Sequence, residues 1–138
     1  NKISLKYMTK IKLLKQNFED KRGKIIDVFV NSPKEDCLIV TFTKGAVRGN
    51  HFHKKSTQFS FVLSGKLDFY FAKVDKKNGK LKKVKKRTVK KNTFITHEPY
   101  EAHAFKSKKR SVLVAFSCGI RGGSRYEKDT FRLKNKLI

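Results

Sequence analysis

The sequence predicts an all-β fold, an antiparallel sandwich or barrel, on three observations. Apolar residues alternate with a period of two along most of the chain, turn residues interrupt them at short intervals, and no segment keeps a helical period beyond about two turns. Residues 1–17 alternate lysine with leucine and isoleucine and read as a lead-in strand. β-branched and aromatic residues then fill Ile25-Ile-Asp-Val-Phe-Val30, Leu38-Ile-Val-Thr-Phe-Thr43 and Phe59-Ser-Phe-Val-Leu63, as strands require. Leu67, Phe69 and Phe71 alternate with Asp68, Tyr70 and Ala72 in the next strand, and Val112-Leu-Val-Ala-Phe116 is the last clear one. Turns are expected at Lys21-Arg-Gly23, Asn31-Ser-Pro-Lys34, Lys44-Gly45, Ser64-Gly-Lys66, Lys106-Ser-Lys108 and Gly119-Ile-Arg-Gly-Gly123. Asn78-Gly79, between Phe69–Val74 and Leu81–Val84, is the strongest hairpin signal. Roughly eight or nine short strands at this spacing suit a closed antiparallel architecture. The tail Arg125–Leu133 is expected to lie across it through Tyr126, Phe131 and Leu133.

Length and charge bound the function. The 138 residues suit one domain that buries its own core without disulfides or metal. Cys37 and Cys118 sit inside apolar runs far apart and read as buried free thiols in a reducing compartment. No apolar run approaches the roughly 20 residues that span a bilayer, so the expected location is the cytoplasm, with no membrane partner. The formal charge of +24 is what a nucleic-acid binder would carry. However, of the 35 basic residues only seven are arginines, leaving 28 lysines spread along the chain. Base readout and bidentate phosphate clamps favour arginine. The lysines therefore read as a solvated surface that attracts anionic ligands, and nucleic acid is the weaker reading. The densest run, Lys76–Arg87, reads as a wet edge hairpin that discourages edge-to-edge pairing.

Two of the four histidines stand one residue apart in Gly45-Ala-Val-Arg-Gly-Asn-His-Phe-His-Lys-Lys-Ser-Thr-Gln58. On a strand His51 and His53 project from the same face, which places two imidazoles in one small volume. Glu98-Pro-Tyr-Glu-Ala-His103 later supplies a third, His103. Gly45, five residues, His51-x-His53, four residues, Gln58, six residues and Gly65 together resemble the first signature of the cupin superfamily. The resemblance implies a jelly-roll barrel over residues 18–133, within a single domain of residues 1–138. It also implies a ligand set of His51, His53, Gln58 and His103 in members that hold zinc, iron or manganese. Gln58 stands where those members carry an acid, and its neutral amide oxygen is a poorer ligand for a divalent cation. The second motif lacks the usual glycine between Pro99 and His103.

Phe18-Glu-Asp-Lys-Arg-Gly-Lys-Ile-Ile26 and Arg48-Gly-Asn-His-Phe-His-Lys-Lys-Ser-Thr-Gln58 narrow the resemblance to the nucleotide-sugar cupins. These are the 3,4-ketoisomerases of dTDP-4-keto-6-deoxyglucose and the epimerase-like cupins of capsule and O-antigen synthesis. Tyr126-Glu-Lys-Asp-Thr-Phe-Arg132 is similar to the end of those chains. The resemblance implies His51 and His53 as an acid/base pair without metal, a nucleotide-sugar substrate and a homodimer. Histidine suits that chemistry, because its ordinary pKa of about 6.5 lets it take and give protons near neutral pH.

Other site candidates keep a structural alternative. Arg48 holds a diphosphate or an enediolate, or forms an ion pair at the barrel rim. Gln58 orients an imidazole, bonds the sugar, or is a satisfied interior amide. His103 lines the cavity or packs in the core. Tyr100 and Tyr126 stack on a base or donate to the sugar, or pack. His97 is set apart by the break expected at Pro99, Glu101 reads as a solvated loop carboxylate or, in the metal reading, as the acid, and Lys54 and Lys55 read as solvated unless one of them meets phosphate. The leading function is an isomerase or epimerase of a nucleotide-linked 4-keto-6-deoxyhexose. The alternatives are a metal-dependent cupin of other chemistry and a non-enzymatic sugar- or nucleotide-binding module. The strand before the motif, Leu38-Ile-Val-Thr-Phe42, lacks the tyrosine that ketoisomerases carry there, and Lys73–Lys91 is longer, closer to the capsule-type cupins.

Overall fold

A computed structural model describes residues 10–119 and 128–138 of the chain. Among them are ten strands: β1 Lys10–Leu13, β2 Phe18–Asp20, β3 Gly23–Ile25, β4 Asp36–Phe42, β5 Val47–Phe52, β6 Thr57–Lys73, β7 Lys85–Lys90, β8 Thr93–His97, β9 Glu101–Cys118 and β10 Phe131–Arg132. Every pairing is antiparallel, in the order β1-β8-β6-β9-β5-β10, with β4 on β9 and β7 on β6. A separate β2–β3 hairpin completes the all-β architecture expected from the alternation.

The frame is set by β6 and β9, which pair from Thr57↔Cys118 to Lys73↔Glu101. Two turns read from Ser64-Gly-Lys66 and Lys106-Ser-Lys108 are therefore corrected, since both lie inside these long strands. The glycine and serine mark a bend instead. The register slips between Val62 and Leu67, and Gly65 has φ +93° with Ser111 so close that a Cβ would fall 2.6 Å from its Cα. Ser111 Oγ accepts from Lys66 N–H at 3.0 Å and stands in for the interrupted ladder. Bent here, β6 pairs β8 through its first half and β7 through its second, so one strand serves both walls of the barrel.

Between the walls lies a core of Phe42, Val62, Leu67, Phe69, Phe71, Val89, Ile95, Phe105, Leu113 and Ala115. Phe69 is fully buried and stacks on Phe71 and Phe105 at 4.9 and 4.8 Å. Such a ring contributes about 1.5–3 kcal/mol through burial alone. Phe131 and Leu133 pack against Phe52, Val74 and Ala102, as expected of a tail crossing the barrel. Tyr126 lies outside the described residues.

Three further expectations are corrected. The strand read over Ile25–Val30 ends at Ile25. Phe29 instead turns onto an aromatic cluster, with ring centroids 5.4, 5.5 and 4.8 Å from Phe59, Phe94 and Phe116. Leu81–Val84 contributes a single bridge, Leu81 to Val74, and the returning strand begins only at Lys85. The Asn78-Gly79 turn itself is present, closed by Asp75 N–H to Lys80 O at 2.9 Å. Cys37 and Cys118 are free, but Cys37 is exposed and Cys118 half-buried, because the strand alternation puts Cys37 on the outward face of β4 with Ile39. The lysine-rich β7 is exposed at every position but Val89, the wet face expected.

Candidate functional site

All four histidines converge in the barrel. His51 is the penultimate residue of β5 and His53 follows the strand, with ring centroids 5.1 Å apart. Their common direction depends on a bulge, since the β5–β9 register shifts between Gly49 and His51. Gly49 has φ +103°, and a Cβ there would lie 2.6 Å from the His103 carbonyl oxygen, so the position admits only glycine. His103, on β9 opposite His51, has its ring centroid 4.8 Å from His51 and 5.4 Å from His53. The expected break at Pro99 exists, because residues 98–100 separate β8 from β9. It does not set His97 apart, however: β8 returns beside β6, and the His97 ring stands 4.4 Å from His103. All four imidazoles are buried.

Hydrogen bonds orient the rings. Asp129 O lies 2.7 Å from His53 Nδ1 and can only accept, so Nδ1 carries a proton. Gln58 Oε1 lies 3.3 Å from His53 Nε2, Gln58 Nε2 donates to Ser60 Oγ at 3.4 Å, and Ser60 Oγ lies 2.9 Å from His97 Nε2. A buried polar chain thus runs from His53 through Gln58 and Ser60 to His97. On the other side His103 Nδ1 donates to Glu101 O at 3.3 Å. Burial, and then electrostatic repulsion from protonation of the neighbouring His97, His51 and His53, hold the His103 pKa well below its ordinary value. A neutral His103 therefore presents Nε2 to the cavity, and that atom has no hydrogen-bond partner among the described residues.

Sequence reasoning missed Asp129, which the tail places beneath His53. Its carboxylate accepts from Lys54 N–H at 3.0 Å, Lys55 N–H at 3.0 Å and Ser56 N–H at 2.7 Å. Burial alone would raise its pKa, but these donors outweigh it and hold the group below the ordinary carboxylate range. The only available signal was an acid in a tail otherwise placed by its aromatic residues.

His51 and His103 open into a cavity of ≈ 340 Å³ walled by Leu38, Val40, Phe42, Phe105, Leu113 and Ala115, with Gln58 beside them and Arg48 and Arg132 at its mouth. Arg48 Nε donates to Thr41 O at 3.2 Å and its guanidinium lies over Phe42 at 5.7 Å. Arg132, which pairs with His51 through β10, was not singled out in the sequence. Tyr100 stands outside this cavity: it packs on Phe52 at 5.9 Å, one of the two readings the sequence left open, and lines a different groove with Glu98 and Glu101.

Glu101 is also corrected, because it is 4% exposed and neither carboxyl oxygen has a hydrogen-bond partner among the described residues. Burial, then repulsion from Glu98, pushes its pKa up to about 8. A carboxyl whose pKa rises on folding weakens the fold as pH climbs from the unfolded value near 4.5 towards 8. Glu101→Gln is therefore expected to stabilise the protein by about 1–3 kcal/mol at pH 9 and to change little at pH 4. Thermal melts of both proteins across that range check this, and a gap independent of pH contradicts it.

The profile of the polysaccharide biosynthesis C-terminal domain matches residues 18–118. No curated protein matches the chain in sequence. Among solved structures, the sugar 3,4-ketoisomerase QdtA of Thermoanaerobacterium thermosaccharolyticum, in complex with TDP, is similar at 18% identity and TM-score 0.73, covering 93% of this chain and 90% of that one. The dTDP-4-dehydrorhamnose 3,5-epimerase of Sulfolobus tokodaii is similar at 23% identity and TM-score 0.65, over 74% of this chain and only 65% of the epimerase. The capsular polysaccharide assembling protein CapF of Staphylococcus aureus is similar at 20% identity and TM-score 0.62, over 88% of this chain and 33% of that protein. At these identities the likeness establishes the fold, which is the cupin-type jelly roll expected from the histidine motif.

Proposed function

This chain belongs to the polysaccharide biosynthesis C-terminal domain family, and from that premise we propose that it isomerises or epimerises a nucleotide-linked 4-keto-6-deoxyhexose. One observation carries the reading: the buried imidazoles of His51 and His103, with His103 Nε2 lacking a hydrogen-bond partner among the described residues, face a cavity of ≈ 340 Å³ whose mouth bears Arg48 and Arg132. An imidazole Nε2 takes the proton from the carbon beside the C4 carbonyl, and the electron pair moves onto the carbonyl oxygen as an enediolate. Gln58 and the mouth arginines stabilise that oxygen or hold the diphosphate. A second imidazole returns a proton. Delivered to the opposite face of the same carbon, it inverts the centre as the oxygen's electron pair re-forms the carbonyl; delivered to the former carbonyl carbon, it moves the ketone, the neighbouring hydroxyl passing its proton to the former carbonyl oxygen. His51 and His53 fill these two roles jointly, and His103 lines the sugar pocket. The similarity to QdtA, whose structure holds TDP, supports a nucleotide-sugar substrate. The working unit is a homodimer, a reading supported by β4, which pairs only β9 among the described residues and exposes Ile39. Exchange of substrate protons with solvent deuterium tests the proposal.

One further observation favours a second reading, divalent-metal binding. Ligand nitrogens of His51, His53 and His103 lie within 4.8 Å of one another. Tetrahedral zinc with bonds of about 2.0–2.1 Å needs them roughly 3.3 Å apart, a modest contraction. The three imidazoles, with the Gln58 amide, would hold the ion, which would supply Lewis-acid stabilisation of the carbonyl oxygen. Protein purified without chelator then carries about one equivalent of zinc, iron or manganese, lost in His103→Ala. Metal well below one equivalent, with no gain on reconstitution, removes this reading.

A further inference from the structure

The carboxyl of Glu101 is buried, yet both of its oxygens lack partners among the described residues, in a protein with a large excess of cations. Glu101 is absent from the lining of the histidine cavity. It borders another cavity of ≈ 150 Å³, between the ends of β6 and β9 and the connection into β7, together with Phe71, Lys73, Lys82, Lys83 and Lys85. This cavity adjoins a groove of ≈ 520 Å³ that shares Lys73, Lys82 and Glu101 and runs past Tyr100.

We propose that the Glu101 cavity is a second binding site, for a phosphorylated sugar, separate from the histidine cavity. Buried polar atoms without partners are costly, and a ligand relieves that cost only if it brings the missing hydrogen bonds. The carboxyl, protonated near neutral pH, matches two neighbouring sugar hydroxyls, since its carbonyl oxygen accepts from one and its own O–H donates to the other. The walls supply the rest of the recognition. Phe71 offers an apolar surface to the C–H face of a pyranose, and the lysines supply the cations that a phosphoryl group requires. A purely anionic ligand would satisfy the lysines and leave Glu101 as it is, whereas a neutral sugar would leave the lysine cluster unused.

The test uses the full chain, glucose 1-phosphate, glucose and inorganic phosphate, with amide chemical shifts and calorimetry as readouts. Glucose 1-phosphate is expected to bind at least tenfold more tightly than either half, shifting the amides of Ala72, Lys73, Lys82, Lys83 and Glu101 and leaving those of His51 and His53 in place. Lys82→Ala with Lys83→Ala should weaken it at least tenfold without changing glucose binding. Glu101→Ala should weaken glucose 1-phosphate and glucose and leave inorganic phosphate unchanged; a melt at or above the native temperature shows that the variant is folded. Inorganic phosphate binding as tightly as glucose 1-phosphate, shifts confined to the histidine cavity, or no saturable binding at millimolar ligand would each overturn the proposal.

Discussion

His51→Asn or His53→Asn is expected to lower turnover of a nucleotide-linked 4-keto-6-deoxyhexose by about 10²–10⁴-fold, the usual contribution of a positioned acid or base, with little change in the thermal melt. Asparagine keeps a short polar side chain but cannot take up a proton near neutral pH. At position 53 it can still offer an N–H towards Asp129 O, the partner now 2.7 Å from His53 Nδ1. The native ring contributes more than packing, because its Nε2 lies 3.3 Å from Gln58 Oε1, the amide of a residue that lines the cavity. A steady-state assay with melts of each variant separates chemistry from folding. Variants that keep more than about a tenth of native turnover would exclude the histidine pair as proton carriers.

Asp129→Ala is expected to cost about 2–4 kcal/mol of stability, since it strips the acceptor from three backbone N–H groups and hydrogen bonds to charged groups contribute about 1.5–3 kcal/mol each. The turn carrying Lys54, Lys55 and Ser56 is held by this carboxylate, and His53 sits at its base on the Asp129 carbonyl. The loss should therefore reach activity as well. Because the native pKa is held below the unfolded value, the contribution is present above about pH 4 and fades as pH falls through the folded pKa. Denaturation of wild type and variant at pH 7 and pH 3 checks both the size and the sign. A gap that stays constant into acid would show that the carboxylate charge is not what holds the turn.

Much of the site was legible because the spacing of His51, His53, Gln58 and Gly65 encodes a local geometry. Two residues on one strand share a face, and the glycines mark the places where the backbone bends. The meaning of Gly65 was misread as a turn because sequence shows that the ladder is broken and not whether the chain reverses. Long-range pairing was the part out of reach. His97 joins the site through its β8 pairing with β6, and Asp129 through a tail pinned by Asn50, whose carbonyl accepts from Leu133 N–H and whose side chain accepts from Leu137 N–H. Neither contact has a periodic signature. Glu101 was misplaced for a related reason: a glutamate two residues after a proline reads as a solvated loop carboxylate, and only the packing of β6 against β9 buries it.

Solvent-deuterium exchange followed by proton resonance, with dTDP-4-keto-6-deoxyglucose and its UDP counterpart as substrates, tests the proposed proton transfer most directly. Loss of the ring-proton signal beside the C4 carbonyl is expected with native protein, and its retention with His51→Asn and His53→Asn. Native protein that leaves that signal intact with both substrates would contradict the proposal.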